Sequence, residues 1–306
     1  MDLDRARKAI LANFPSFSIR TIDFLGEGMD SRAYQVNGEY VFRFPMFKEV
    51  SRQLEVEACL LPKLQPTLDL TIPQFRFFGR EPSSGLAFAG YRKIEGVELT
   101  QELLHSLDEQ FQRKLIKQVA DFLTQVHAFP IDVAKSCGVA ANDLRQDYQD
   151  DLDAIRSKVR PLIPLDQQPY LRYLEGLYED YLNDDANFDY TPQLLHSDLS
   201  PGHILFDPER LTIVGIIDFG DVNIGNPDYD EFTWMYIDYG SGFIETLLEF
   251  LPHPEPDRLF RNLEFFKLSD CVTDILIGLH RNEEDTVRHS LARFGRYAEE
   301  FSEGAS

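Results

Sequence analysis

The chain has 306 residues, with 52 acidic against 30 basic side chains and a formal charge of −22. A chain this long can bury a good core, as two domains or one bilobal unit, while so acidic a surface repels nucleic acid and anionic membranes and attracts cations. No window nears the ~18 uninterrupted apolar residues of a membrane span, and the start Met1-Asp2-Leu3-Asp4-Arg5 lacks a signal-peptide pattern, which predicts a cytoplasmic protein.

Ala6, Ala9, Ile10 and Phe14 recur at helical spacing over residues 4–13, and Pro15 stops the run. Ile19 to Leu25 alternates like a strand, enters the turn Gly26-Glu27-Gly28-Met29-Asp30-Ser31, and returns as Ala33-Tyr34-Gln35-Val36. A hairpin follows from that order, and Asn37-Gly38 predicts a second turn into Glu39 to Pro45. Two glycines in the first turn suit an ordinary hairpin or a loop whose amides closely approach phosphates; Gly26, Gly28, Asp30 and Ser31 are its candidate contacts. The Gly-x-x-x-x-Gly-Lys-Ser/Thr pattern is absent, which disfavours the P-loop class.

A helix is predicted over 49–64, with Leu54, Ala58 and Leu61 as its stripe, and strands over 73–78 and 86–94. Glu109 to His127 presents a broad apolar face, as a buried helix does. Further helices are predicted near 143–159, 166–182, 226–234, 258–281 and 284–301, with Ser302 to Ser306 fraying. Cys59, Cys137 and Cys271 are few, odd in number and widely spaced, so neither a disulfide framework nor a zinc site is expected; they are taken as reduced packing residues.

The chemistry concentrates in His196-Ser197-Asp198-Leu199-Ser200-Pro201-Gly202-His203-Ile204-Leu205-Phe206-Asp207 and in Gly215-Ile216-Ile217-Asp218-Phe219-Gly220-Asp221. Phosphoryl transfer demands positioning of an acceptor hydroxyl and neutralisation of phosphate oxygens. Asp198, on a turn after Gln193-Leu194-Leu195, can orient a hydroxyl and accept its proton late. Asp218 ends a β-branched run beside Gly220 and supplies the hard oxygen that magnesium prefers. His203 can ligate a cation or hydrogen-bond a phosphate.

His-x-Asp-x-x-x-x-His followed by Ile-Asp-Phe-Gly-Asp resembles the aminoglycoside phosphotransferase family, and His203 in place of the commoner asparagine is similar to its 2''-phosphotransferase branch. The resemblance implies an α+β, bilobal protein-kinase-like fold: a small antiparallel-sheet nucleotide lobe over 1–93, a hinge at about 91–96, and a mainly helical catalytic and acceptor lobe over 94–306. It implies Asp198 as catalytic aspartate, with His203 and Asp218 holding Mg2+, and GTP or ATP as phosphate donor. Arg43 stands where that fold usually has a lysine, with Glu57, near Glu55, as the partner. Tyr91, Lys93 and Ile94 fall at the base-binding hinge, where Tyr91 either narrows the pocket in favour of GTP or simply packs in its strand.

The acceptor implied is a cationic small molecule, an aminoglycoside, on a monomeric enzyme without nucleic-acid or membrane partners; the acidic surface suits it, although solubility is a sufficient reason for that charge. Asp221, Asp230, Glu231 and Asp238 are the candidate ammonium-binding carboxylates, while Asp230 also suits a helix start near Pro227. The alternative acceptors are a macrolide, fructosamine, homoserine or choline. A more distant alternative is a nucleotide-binding pseudoenzyme.

Overall fold

A computed structural model describes residues 2–28, 30–230 and 232–304. Asp2 caps the helix Leu3–Asn13 (α1) by accepting the Arg5 N–H, and Ala6, Ala9 and Ile10 form its buried stripe. That stripe packs on a five-stranded antiparallel sheet of Ile22–Glu27 (β1), Ser31–Val36 (β2), Tyr40–Pro45 (β3), Phe75–Arg80 (β4) and Ala87–Arg92 (β5), in the order β1-β2-β3-β5-β4. Both predicted hairpins form. Glu27 stands opposite Arg32, with a bulge between Phe24 and Gly26, and Asn37 and Gly38 turn the chain at φ 57° and 71°. Under the sheet, the Phe44 and Phe88 rings stack 4.7 Å apart.

Helix Lys48–Leu64 (α2) lies next in sequence, burying Leu54, Leu60, Leu61 and Leu64 together with one carboxylate, Glu57. Beyond β5 come Val97–Glu98 (β6), Gln101–Ser106 (α3), Glu109–His127 (α4), Ile131–Ser136 (α5), Leu144–Ala154 (α6) and Gln168–Asn183 (α7). Strands Gln193–Leu195 (β7), Ile204–Asp207 (β8), Thr212–Ile216 (β9) and Asn223–Gly225 (β10) precede helices Pro227–Asp230 (α8), Phe232–Tyr239 (α9), Ser241–Leu248 (α10), Pro256–Arg281 (α11) and Glu284–Gly304 (α12). The class is α+β, as expected. The helix predicted from Asn226 is represented by α8 and α9, between which Glu231 lies outside the described residues, and α12 runs past the predicted fraying point, with Ser302 Oγ donating to the Ala298 carbonyl.

One expectation is overturned. Cys59 and Cys137 form a disulfide, with Cα atoms 5.3 Å apart, while Cys271 is free and buried. The two are 78 residues apart, and only the fold reveals their proximity.

Packing divides the chain into two units, Met1–Ala140 with Leu194–Ile224 and Asp238–Leu251, and Ala141–Gln193 with Gly225–Ile237 and Pro252–Ser306. In the first, β8 pairs with both β6 and β9 to form a small sheet, and α4 buries Leu115, Val119, Phe122, Leu123 and Val126. The core of the second is aromatic: the Tyr148 ring stacks on Phe266, and Tyr181 stacks on Phe265 at 4.8 Å. Its buried Asn187 donates to the Tyr181 carbonyl and accepts from Asn262, so the polar group is satisfied. No helix among the described residues is long and apolar enough to cross a membrane.

Candidate active site

The two motifs converge because β8 pairs antiparallel with β9. Ile204 stands opposite Ile216, which carries the preceding His203 toward Asp218 beyond the end of β9, and the Ile217 N–H donates to the His203 carbonyl at 3.0 Å. Strand β7 delivers His196, fully buried, to the same place. Its Nε2–H donates to the Ile217 carbonyl at 3.0 Å, so its Nδ1 is the acceptor for the Asp198 N–H at 3.3 Å. Burial pushes the His196 imidazole down to about 4, which keeps it neutral in this bridging role. Ser197 and Asp218 both occupy left-handed backbone, at φ 69° and 63°. Such residues store about 1–3 kcal/mol each and persist where their surroundings over-determine them; for Ser197 those include the Asn223 amide, which donates to its Oγ at 2.5 Å.

Arg43 reaches the motif from β3, where its strand neighbours Ala33 and Ala89 are small. One guanidinium nitrogen lies 3.1 Å from Glu57 Oε2 and another 2.8 Å from Asp218 Oδ1. The nearby Glu55 instead pairs with Arg80. Burial opposes the charge on Arg43, but Glu57 and Asp218 outweigh it and hold the guanidinium firmly protonated. Burial also pushes Glu57 up to about 7, with Arg43 pulling the other way. Asp218 stays below the usual carboxylate range despite its burial, because Arg43 and His203 face it.

Asp198 has the opposite environment. Burial, reinforced by the carboxylates of Asp221, Asp218 and Asp238 and opposed by His203, pushes it up to about 7. An accumulation of carboxylates that raises one of them is a site prepared for positive charge.

A cleft of about 640 Å³ within the first unit brings these groups together. Gly26, Gly28, Asp30, Ser31, Arg43, Tyr91, Lys93 and Ile94 line it from one side, and Asp198, His203, Asp218 and Asp221 from the catalytic motifs. The Gly28 N–H donates to the Ser31 carbonyl, which closes the turn; Met29 lies outside the described residues. Just past β5 the Lys93 N–H donates to the Glu39 carbonyl, and its ammonium to Glu95. Glu57 stands behind Arg43 and is not part of the lining; Asp238 is also outside it but close enough to act on Asp198. Asp230 ends α8 in the other unit, and its side chain, like all of Glu231, lies outside the described residues.

His203 and Asp218 have the donor chemistry for a cation. The His203 Nδ1 must donate to the Asp198 carbonyl, 2.6 Å away, because a carbonyl oxygen only accepts. With the imidazole neutral, Nε2 is therefore the atom whose lone pair could take a cation, and it faces Asp218 Oδ2 across 3.8 Å. In the neutral imidazole these two acceptors repel unless a positive charge lies with them, and either a proton on Nε2 or a bound cation supplies it. No group of three or more ligating side chains is present among the described residues; magnesium takes one or two protein ligands and completes its shell with phosphate and water.

Sequence reasoning singled out Asp198, His203 and Asp218 but gave no role to His196, Ser197 or Asn223. His196 was visible as a histidine directly after the apolar Leu194 and Leu195 of β7, but the carbonyl that holds it lies 21 residues away.

Residues 21–260 match the profile of the phosphotransferase enzyme family. The GDP and kanamycin complex of APH(2'')-IIIa superimposes with a TM-score of 0.88 at 32% identity, covering 95% of this chain and 97% of that one. The GDP complex of wild-type aminoglycoside 2'-phosphotransferase-IIIa gives 0.90 at 31% identity, covering 98% and 99%. A macrolide 2'-phosphotransferase type I shares the fold, at a TM-score of 0.73 and 21% identity over 96% and 97% of the two chains. The uncharacterized protein YcbJ of Bacillus subtilis (strain 168) is 23% identical over 216 residues, 69% of this chain and 67% of its own.

Proposed function

Because the chain belongs to the phosphotransferase enzyme family, whose aminoglycoside 2''-phosphotransferase members share its kinase-like fold, we propose that it moves the γ-phosphate of GTP or ATP to a hydroxyl of an aminoglycoside. The 2'' position is the acceptor we favour, and antibiotic resistance in the cytoplasm, by a monomer needing no nucleic acid, the consequence. The observation that carries this reading is the convergence of Asp198, His203, Asp218 and the Arg43–Glu57 pair on one cleft.

The glycine turn and Arg43 hold the triphosphate, the guanidinium countering charge on its oxygens. Asp218 and His203 would hold Mg2+, which when bound supplies further neutralisation of the phosphate oxygens. Asp198 accepts a hydrogen bond from the acceptor hydroxyl and aligns it; its oxygen attacks the γ-phosphorus, the bond to the bridging β–γ oxygen breaks, and the hydroxyl proton passes to Asp198. No phosphoenzyme is needed. The ammonium groups of the acceptor are drawn by Asp221 and Asp238, with Asp230 and Glu231 as further candidates, and their charge lowers Asp198 from its raised state toward the ionised form that orients a hydroxyl.

A phosphate-transfer assay with GTP and with ATP against kanamycin-type aminoglycosides, a macrolide and small hydroxylated metabolites tests the reading. Aminoglycoside turnover is expected, with kcat reduced about 10³-fold in Asp198→Ala and nucleotide binding nearly unchanged. Turnover of a metabolite alone would refute the acceptor assignment, and full activity in Asp198→Ala would remove that residue from catalysis. A higher kcat/KM for GTP is the outcome if Tyr91 narrows the base pocket; equal values would assign Tyr91 to packing.

A further inference from the structure

The disulfide between Cys59 and Cys137 sits outside the cleft yet on the helix that shapes it. Glu57, the partner of Arg43, lies two residues before Cys59 on α2. Cys137 is held by the C-terminal turn of α5, where its N–H donates to the Ala134 carbonyl and the Gly138 N–H to the Lys135 carbonyl. The bond thus ties the nucleotide-side helix to a second, independently anchored helix end.

Three further features suit this pair to reversible chemistry. Lys63 lies one turn after Cys59 on the same face of α2, with its ammonium 3.0 Å from the Cys59 sulphur and 2.8 Å from the Cys137 sulphur. A cation so placed stabilises the thiolate that attacks or leaves in thiol–disulfide exchange. Cys59 is half-buried and so within reach of a small reagent. Pro62, between Cys59 and Lys63, lacks the N–H that would bond the Ala58 carbonyl, which weakens the last turn of α2 and leaves its position dependent on other ties.

We propose that Cys59 and Cys137 form a redox-responsive modification site whose closure holds α2, and with it Glu57 and Arg43, in the geometry that binds nucleotide. The oxidant is a low-molecular-weight disulfide of the glutathione class. The thiolate of one cysteine attacks one of its sulphurs, breaking that S–S bond and releasing one thiolate. The other cysteine, as thiolate, then displaces the second small thiolate from the mixed disulfide. Two protein thiols and one small disulfide become one protein disulfide and two small thiols, so electrons and protons balance. In a reducing compartment such a bond is transient and reports the thiol pool.

The coupling rests on the nucleotide-binding reading above, whereas the cross-link itself can be measured without nucleotide. The reduced full-length protein would be treated with oxidised glutathione, quenched, denatured and alkylated. One of its three cysteines should then remain reactive. Lys63→Gln should slow the closing step and accumulate the mixed disulfide. Hydrogen exchange across residues 48–64 should be faster in the reduced form. In steady-state assays, reduction should raise the nucleotide KM about fivefold, the lower end of ordinary site coupling, with kcat little changed. Cys59→Ser and Cys137→Ser should keep the high KM under both redox treatments.

Three reactive thiols after glutathione treatment would overturn the proposal, as would a closed bond with equal nucleotide KM in both forms. Loss of all nucleotide turnover in both forms would instead be failure of the kinase reading, recognised by an intact thiol count and exchange difference.

Discussion

Arg43 answers to two carboxylates at once, and this is what distinguishes it from a simple phosphate contact. Its planar fork spans Glu57 and Asp218, a geometry that a lysine ammonium cannot reproduce. Arg43→Ala leaves Glu57 buried without its partner, and the loss should be about 3 kcal/mol of stability, seen as a lower Tm, together with a raised nucleotide KM. Arg43→Lys should recover part of the stability but not both contacts. Retention of wild-type Tm by the alanine variant would deny the pair its structural weight. At this scale the sequence was informative where chemistry limits the residue type: Asp198, His203, Asp218, Arg43 and Glu57 could all be named as candidates from motif and resemblance, and the structure brings these side chains together. It was uninformative for His196, whose role depends on the atoms that face its two ring nitrogens.

Among the elements, β5 shows how tightly an interior strand is specified. A Cβ at Gly90 would lie 2.5 Å from the ring of Phe42, which is fully buried and cannot yield. Gly90→Ala should therefore destabilise by about 1–3 kcal/mol, measured by denaturant unfolding, and disturb the adjoining Tyr91; an unchanged midpoint would show that the ring finds room. Periodicity located this strand, the hairpins before it and α4, because one face of each meets a core and the pattern of burial is local. It did not find the Cys59–Cys137 link, since a contact between residues 78 apart is not encoded within one turn or one strand.

Across the whole molecule, several acids are held protonated beyond their ordinary range. Burial pushes Asp151 up to about 6, and Asp198 and Glu57 up to about 7, so between the ordinary carboxyl range and about pH 7 the folded chain binds more protons than the unfolded one. Stability contributed by such groups falls as pH rises through that window. Asp218 and Glu81 are shifted downward and act with the opposite sign at more acid pH; His196, lowered to about 4, also opposes the trend up to the ordinary imidazole range, but as one group against both Asp198 and Glu57. Self-repulsion from a net charge of −22 acts in the same direction as the raised acids. The nucleotide-free protein should accordingly have a higher Tm near pH 6 than near pH 8; a rising Tm over that interval would contradict these environments. Addition of a cationic acceptor should lessen the difference.

By itself the sequence determined the order of most elements and, through the resemblance of its two motifs, pointed to the α+β class and to the residues proposed to handle phosphate. Those depend on local periodicity and on the few side chains able to orient a hydroxyl or neutralise phosphate. Only the tertiary structure decided that Arg43, paired with Glu57, also reaches Asp218, that His196 ties the turn at Asp198 to the segment just after β9, and that Cys59 meets Cys137. Each of these is a contact between segments distant along the chain, and so is a property of packing, which no spacing within a single segment can carry.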